Sequence, residues 1–307
     1  MMKIVATSPS FSKNETLQKE IYKYFPDAKL NLEGKRFNQE ELIEFIKDAD
    51  GVIVGLEPMN KEVLDQLPRL KIISKYGVGL NNVDLEECKR KNIAIGWSGG
   101  VNKLSVAEMA LGFMLMFSRN LFITTNQLKN ATWNKSGGFQ LSGKTVGIIG
   151  VGHIGKELIR LLQPFGCRIL VNDIIDQEEY YKEHNLIEVS KEELYKQADF
   201  ISIHTPQDES TYNFITLKQM QMMKPTAYLL NTARGGLINE QDLKYALKNG
   251  IIAGAAIDAY VKEPPTDREF IELPNLICTP HIGGNAKEAV EAMGMSAIRH
   301  LKEFFHV

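Results

Sequence analysis

Three reactive side chains stand just past three apolar runs in the second half of this 307-residue sequence. Arg234 lies in Asn231-Thr-Ala-Arg-Gly-Gly236, Glu263 in Asp258-Ala-Tyr-Val-Lys-Glu-Pro-Pro265, and His281 in Thr279-Pro-His-Ile-Gly-Gly284. Each run reads as a strand, so each loop opens at a strand's carboxyl end, where open α/β sheets bind ligands. An arginine fork can grip a carboxylate and polarise the carbonyl beside it. A histidine whose imidazolium form is stabilised by a carboxylate can donate a proton. Singly, each residue has an ordinary explanation: a structural ion pair, a surface carboxylate before two prolines, a histidine in a turn. Jointly, and supplied with a hydride, they would reduce a 2-oxo acid.

The hydride carrier is expected at Lys144-Thr-Val-Gly-Ile-Ile-Gly-Val-Gly-His-Ile-Gly155. Residues 146–149 read as a buried strand and 156–162 carry helical apolar spacing. Between them Gly150, Gly152 and Gly155 form G-x-G-x-x-G. The first glycine permits the tight turn, the second lets a pyrophosphate approach the backbone, and the third lets helix pack on strand. The pyrophosphate would sit on the free N–H groups of that helix, within reach of His153 and Ile154. Asp173 ends the next strand, roughly 20 positions on, where an acidic side chain binds the adenosine ribose. No Arg or Lys follows it closely, because Ile174-Ile175-Asp176 comes next. A 2′-phosphate would meet negative charge there, which favours NAD over NADP.

These loops need two sheets to hold them. Residues 4–7, 50–54, 70–74 and 93–95 read as strands alternating with helices at 13–25 and 39–48. That rhythm implies a small flavodoxin-like α/β unit. Residues 146–149, 168–171, 200–203, 227–231, 252–257 and 275–278 read as a doubly wound Rossmann sheet. The helix beginning at Ser105 is apolar nearly all round and so is expected to be buried, with Ser105 and Glu108 spaced as a capping box. Residues 120–142 fit neither core and suggest an arm or a subunit contact. Residues 286–304 form one amphipathic helix, expected to return to the first unit. The expected division is a substrate domain at 1–101 with 285–307 and an NAD-binding domain at 102–284. The whole is α/β: a Rossmann doubly wound parallel sheet plus a smaller flavodoxin-like substrate domain.

A net charge of −2 gives no electrostatic case for nucleic acid or a membrane surface. The apolar stretch 109–117 is too short to span a bilayer, and the N-terminus is too brief for a signal peptide. Cys88, Cys167 and Cys278 are far apart and odd in number, which speaks against a disulfide framework. A cytoplasmic protein is expected. No metal site is expected, since no histidine spacing suits one. His204 ends a strand above the cofactor, whereas His184, His300 and His306 read as solvent or packing residues.

The motifs Gly77-Val-Gly79, Asn82-Val-Asp84, Ser105-Val-Ala-Glu108, Gly150 to Gly155, Asn231 to Gly235, Asp258 with Glu263-Pro264, and Thr279-Pro-His281 together resemble the D-isomer-specific 2-hydroxyacid dehydrogenase family. The resemblance implies Arg234 as the substrate-binding arginine, His281 as acid/base and Glu263 as its carboxylate partner. It implies that Asp258 and the Ala233 backbone hold the nicotinamide carboxamide and ribose, with His204, Thr205, Pro206, Thr232 and Gly283 as further cofactor contacts. Substrate contacts are expected from Tyr76, Gly77, Val78, Gly79 and Asn102, the glycine N–H groups holding a carboxylate. From Gly77 to Cys88 the chain looks closest to 3-phosphoglycerate dehydrogenases. It departs from them at Glu57, where those enzymes commonly place a base that meets the phosphate; Lys61 or Lys75 would have to substitute. Gln207-Asp208 stands where Leu-Thr is typical, and the regulatory C-terminal extension of some such enzymes is not expected. A homodimer is expected. Two other functions stay open: an NAD-sensing binding protein like the family's corepressors, and phosphite oxidation by the same trio.

Overall fold

The computed structural model describes residues 2–307 and divides into two compact units: residues up to Asn102 together with Asn285–Val307, and Lys103–Gly284. The division falls one residue beyond the expected one, leaving Asn102 with the first unit.

The first unit is built on β1 (Ile4–Ala6), β2 (Lys29–Leu30), β3 (Gly51–Val54), β4 (Ile72–Lys75) and β5 (Ala94–Gly96). They are parallel and ordered β2-β1-β3-β4-β5, the flavodoxin-like winding. Both faces are covered, which is why β3 and β4 are buried at every position. The helix Lys287–Phe305 supplies part of one face through Met293, Ala297, Ile298 and Leu301, packed with Leu17, Ile21 and Ile53. Ser74 Oγ donates to Ala297 O at 2.7 Å. A Cβ at Gly294 would lie 2.2 Å from Leu17, so a glycine is needed for this close approach. The chain therefore returns to its first unit, as the amphipathic helix suggested. β2 was not expected: two residues are too few to show a period.

The second unit carries β6 (Thr145–Ile149), β7 (Arg168–Asn172), β8 (Ile187–Glu188), β9 (Phe200–Ile203), β10 (Tyr228–Asn231), β11 (Gly254–Ile257) and β12 (Leu276–Cys278). All are parallel, in the order β12-β11-β10-β9-β6-β7-β8. The winding reverses between β6 and β9, where such sheets bind dinucleotides. The two-residue β8 is again an addition to the six strands expected.

The helix Lys103–Ser118 corrects two expectations. Its buried stripe is Val106, Ala107, Ala110, Phe113, Met114 and Phe117, whereas Leu104 is exposed and Leu111, Leu115 and Met116 are half-buried. It is therefore not buried all round. Ser105 lies inside the first turn rather than at its cap, because the helix already starts at Lys103. After it, the helix Leu121–Lys129 buries no residue, and Trp133 is 77% exposed. Among the described residues no single helix is long and apolar enough to cross a membrane.

Candidate active site

The glycine turn behaves as its spacing demands. Gly150 has φ +95°, and a Cβ there would meet the His204 carbonyl at 2.8 Å. A Cβ at Gly155 would lie 2.2 Å from Gly150 O, so the helix His153–Leu162 approaches the turn as only glycine allows. Gly152 differs: a Cβ there would meet nothing within 4 Å, so that side of the loop is open to a ligand. His153 and Ile154 begin the helix, with Gly152 as its cap.

Asp173 is tied to the glycine turn. Its Oδ2 accepts from Val151 N at 2.5 Å and its Oδ1 from Ile175 N at 2.9 Å. Gln177 Nε2 donates to Val151 O at 3.3 Å, so the loop's second residue is held on both backbone groups. Val151, Gly152, His153, Lys156, Asp173, Ile175 and Gln177 line a pocket of 260 Å³. Sequence reasoning missed Lys156, whose Nζ sits 4.4 Å over the Tyr180 ring. Helical spacing could have found it, because it lies three residues after His153 and so on the same face. A roomier 640 Å³ hollow lies in the first unit, but Lys3 and Lys47 on its wall are paired with Asp48 and Glu44.

Strands β9 and β10 bring His204, Thr205 and Thr232 to the same edge. His204 Nε2 shares a hydrogen bond with Ser202 Oγ at 2.9 Å, and desolvation pushes its pKa down to about 4. His204 Nδ1, Thr205 Oγ1 and Thr232 Oγ1 are enclosed and lack partners among the described residues. Buried polar atoms are normally satisfied, so these suit a bound polar molecule. Pro206 is exposed beside them. The Ala233 backbone is largely used internally. Its N–H donates to Asn231 Oδ1 at 3.0 Å and its carbonyl accepts from Arg234 at 2.7 Å, leaving one carbonyl lone pair for a ligand.

The three reactive residues converge. His281 Nδ1 lies 2.8 Å from Glu263 Oε1, which also accepts from Tyr260 N at 3.1 Å. Burial lowers the Arg234 pKa, and the nearby Glu263 carboxylate opposes that shift. His281 adopts φ +55°, the left-handed region that non-glycine residues seldom occupy. Asp258, 1% exposed, accepts from Thr279 Oγ1 at 2.6 Å, Ile282 N at 2.9 Å and Gly283 N at 2.7 Å.

In the first unit, Gly77, Val78 and Gly79 follow β4 directly. Gly77 has φ +123°, and the Val78 carbonyl accepts from Trp97 Nε1 at 2.9 Å. Tyr76 and Asn102 are buried; Tyr76 OH and Asn102 Oδ1 have no partner among the described residues, and burial pushes the Tyr76 pKa to about 12. Lys75 is buried, bonding to Gly55 O and to Asn82 Oδ1 at 2.8 Å. Glu57 folds back to accept from Gly55 N at 2.7 Å, and Lys61 pairs with Asp65 at 2.5 Å.

A Rossmann sheet with a glycine cradle and enclosed, unpartnered hydroxyls at its switch point defines a dinucleotide-binding protein. Residues 111–283 match the D-isomer specific 2-hydroxyacid dehydrogenase, NAD binding domain, and the chain belongs to that family. It is 35% identical to a D-3-phosphoglycerate dehydrogenase of Methanocaldococcus jannaschii, over 99% of this chain but only 57% of that relative. It is 33% identical to a hydroxypyruvate reductase of Thermotoga maritima, over 94% of this chain and 95% of the relative. Among solved structures it is similar to a D-lactate dehydrogenase of Aquifex aeolicus complexed with NAD and lactic acid. The TM-score there is 0.83 at 25% identity, covering 99% of this chain and 95% of that one.

Proposed function

We propose that this chain is an NAD-dependent dehydrogenase that interconverts a D-2-hydroxy acid and its 2-oxo acid. One observation carries the reading: His281 and Glu263 meet at 2.8 Å on the sheet edge that also holds the glycine cradle. NAD, when bound, accepts or supplies the hydride. The remaining work belongs to the chain's own backbone and side chains. The glycine loop and the start of the helix His153–Leu162 hold the pyrophosphate, and Asp173 takes the ribose. Ile174 and Ile175, both exposed, offer apolar surface to an adenine ring. Arg234 grips the substrate carboxylate and polarises its carbonyl. Glu263 occupies Nδ1 of His281, so proton exchange with the substrate oxygen falls to Nε2. In the first unit, the substrate domain of this reading, the Gly77 to Gly79 loop carries N–H groups of the kind that hold a carboxylate.

An unphosphorylated substrate is the finer reading. Lys75 and Lys61, the two cations that would have to meet a phosphate, are engaged elsewhere, and Glu57 adds negative charge to the same loop. The Thermotoga hydroxypyruvate reductase supports this, whereas the Methanocaldococcus relative supports 3-phosphoglycerate. A panel of glyoxylate, hydroxypyruvate and 3-phosphohydroxypyruvate with NADH decides it. We expect higher kcat/KM without the phosphate; a preference for the phosphorylated acid would overturn the finer reading alone. A homodimer is also proposed, with the exposed Leu121, Leu128 and Trp133 of the arm as its contact, and sedimentation of a Trp133→Ser variant tests it.

A further inference from the structure

The turn that carries His281 is gripped from two sides. Below it lies Asp258, whose Oδ1 takes Thr279 Oγ1 and Ile282 N and whose Oδ2 takes Gly283 N. On the other side is the helix Lys103–Ser118, from which Ser105 Oγ donates to Gly283 O at 2.6 Å. Both backbone groups of Gly283 are therefore committed, one to each clamp. A Cβ at Gly283 would lie 2.9 Å from Asp258 Oδ2 and 3.4 Å from Met109 Sδ, so no side chain fits between the jaws.

We propose that Ser105 is a positioning residue of the reaction: acting with Asp258, it fixes the left-handed His281 turn and so sets where the imidazole stands relative to the cofactor. The inference rests on His281 being the acid/base. The turn needs such a hold, because the φ of +55° at His281 is not one a free chain would keep. The helix that bears Ser105 can supply it. Its Ala107, Ala110 and Met114 share one core with Val146, Ile148 and Val151 of the strand and turn that carry the glycine cradle. Ser105 thus ties the proton donor to the packed layer that holds the hydride carrier. Proton and hydride must reach one carbonyl group, and a displacement of about 1 Å can lower turnover roughly a hundredfold.

The test is Ser105→Ala, with Ser105→Thr to return the hydroxyl and His281→Gln alongside. Alanine is a better helix former than serine, so the helix persists. We expect Ser105→Ala to lower kcat about tenfold or more. NADH affinity should be unchanged, and the melting temperature should fall by only about 2–4 °C. Ser105→Thr should recover most of the loss. Unchanged kcat in Ser105→Ala would overturn the proposal, as would a loss that threonine does not restore, because packing alone would then explain it. Wild-type turnover by His281→Gln would instead remove the acid/base reading, and the positioning role with it.

Discussion

Glu263 shows how much of the chemistry rests on single side chains. It accepts from Tyr260 N and faces both His281 and Arg234, so in the proposed reaction one carboxylate would organise the acid/base and the substrate cation together. Replacing it as Glu263→Gln should lower kcat while leaving NADH binding intact; unchanged kcat for 2-oxo acid reduction would remove Glu263 from this role. His204 gives a separate, pH-dependent expectation. Its folded pKa of about 4 lies below the ordinary 6.5, so the folded state resists protonation. Its contribution to stability is complete above about pH 6.5 and is lost as pH falls from there towards about 4. The full loss is on the order of 3 kcal/mol. Urea unfolding of the cofactor-free protein at about pH 7 and about pH 5 checks this against His204→Gln, which should flatten the slope. Equal slopes would contradict it. That Glu263 and His281 meet was legible because both stand in loops that follow apolar runs at one sheet edge. The Ser105 bond to Gly283 was not, because no periodicity reports a contact between residues so far apart in sequence.

At the scale of elements, the glycine turn separates fold from function. A Cβ at Gly155 would strike Gly150 O and one at Gly150 would strike the His204 carbonyl, whereas one at Gly152 would meet open space. Gly155→Ala should therefore lower the melting temperature, while Gly152→Ala should fold normally and bind NADH poorly. Thermal melts with and without NADH measure both effects. Equal losses of stability in the two variants would contradict the division of labour. The G-x-G-x-x-G spacing foretold this turn because Gly150 and Gly155 each meet a steric demand of the fold and Gly152 leaves room for a ligand. The helix Lys103–Ser118 was misread for a related reason: its composition is apolar on nearly every side, but only one stripe is fully buried, while Leu111, Leu115 and Met116 pack half-buried. Composition reports how much apolar surface exists, not which part is covered. Asp208 shows the same limit. Where Leu-Thr is typical of the family, its Oδ1 accepts from Ser210 N at 2.8 Å and Thr211 N at 3.1 Å, shaping the loop by a different residue.

Taken whole, the chain makes two parallel sheets, and the winding of each was readable from alternating strand and helix patterns. The two-residue edge strands β2 and β8 were not, because they show no period. The return of the helix Lys287–Phe305 to the first unit was readable, since the Rossmann unit was already complete before it. Cofactor choice is a property of the assembled second unit. Asp173 faces the pocket from β7, yet Lys156 enters it from the neighbouring helix. The fixed carboxylate should dominate, giving NADH a higher kcat/KM than NADPH; the reverse order would show that Lys156 governs the pocket. The proposed chemistry turns on His281 as the proton donor, and one measurement tests it. NADH-loaded wild-type protein and His281→Gln are mixed rapidly with hydroxypyruvate, and NADH oxidation is followed through a single turnover. The wild type should oxidise its NADH, and the variant should bind NADH equally but react about a hundred- to ten-thousand-fold more slowly. Reduction by the variant at the wild-type rate would contradict the assignment.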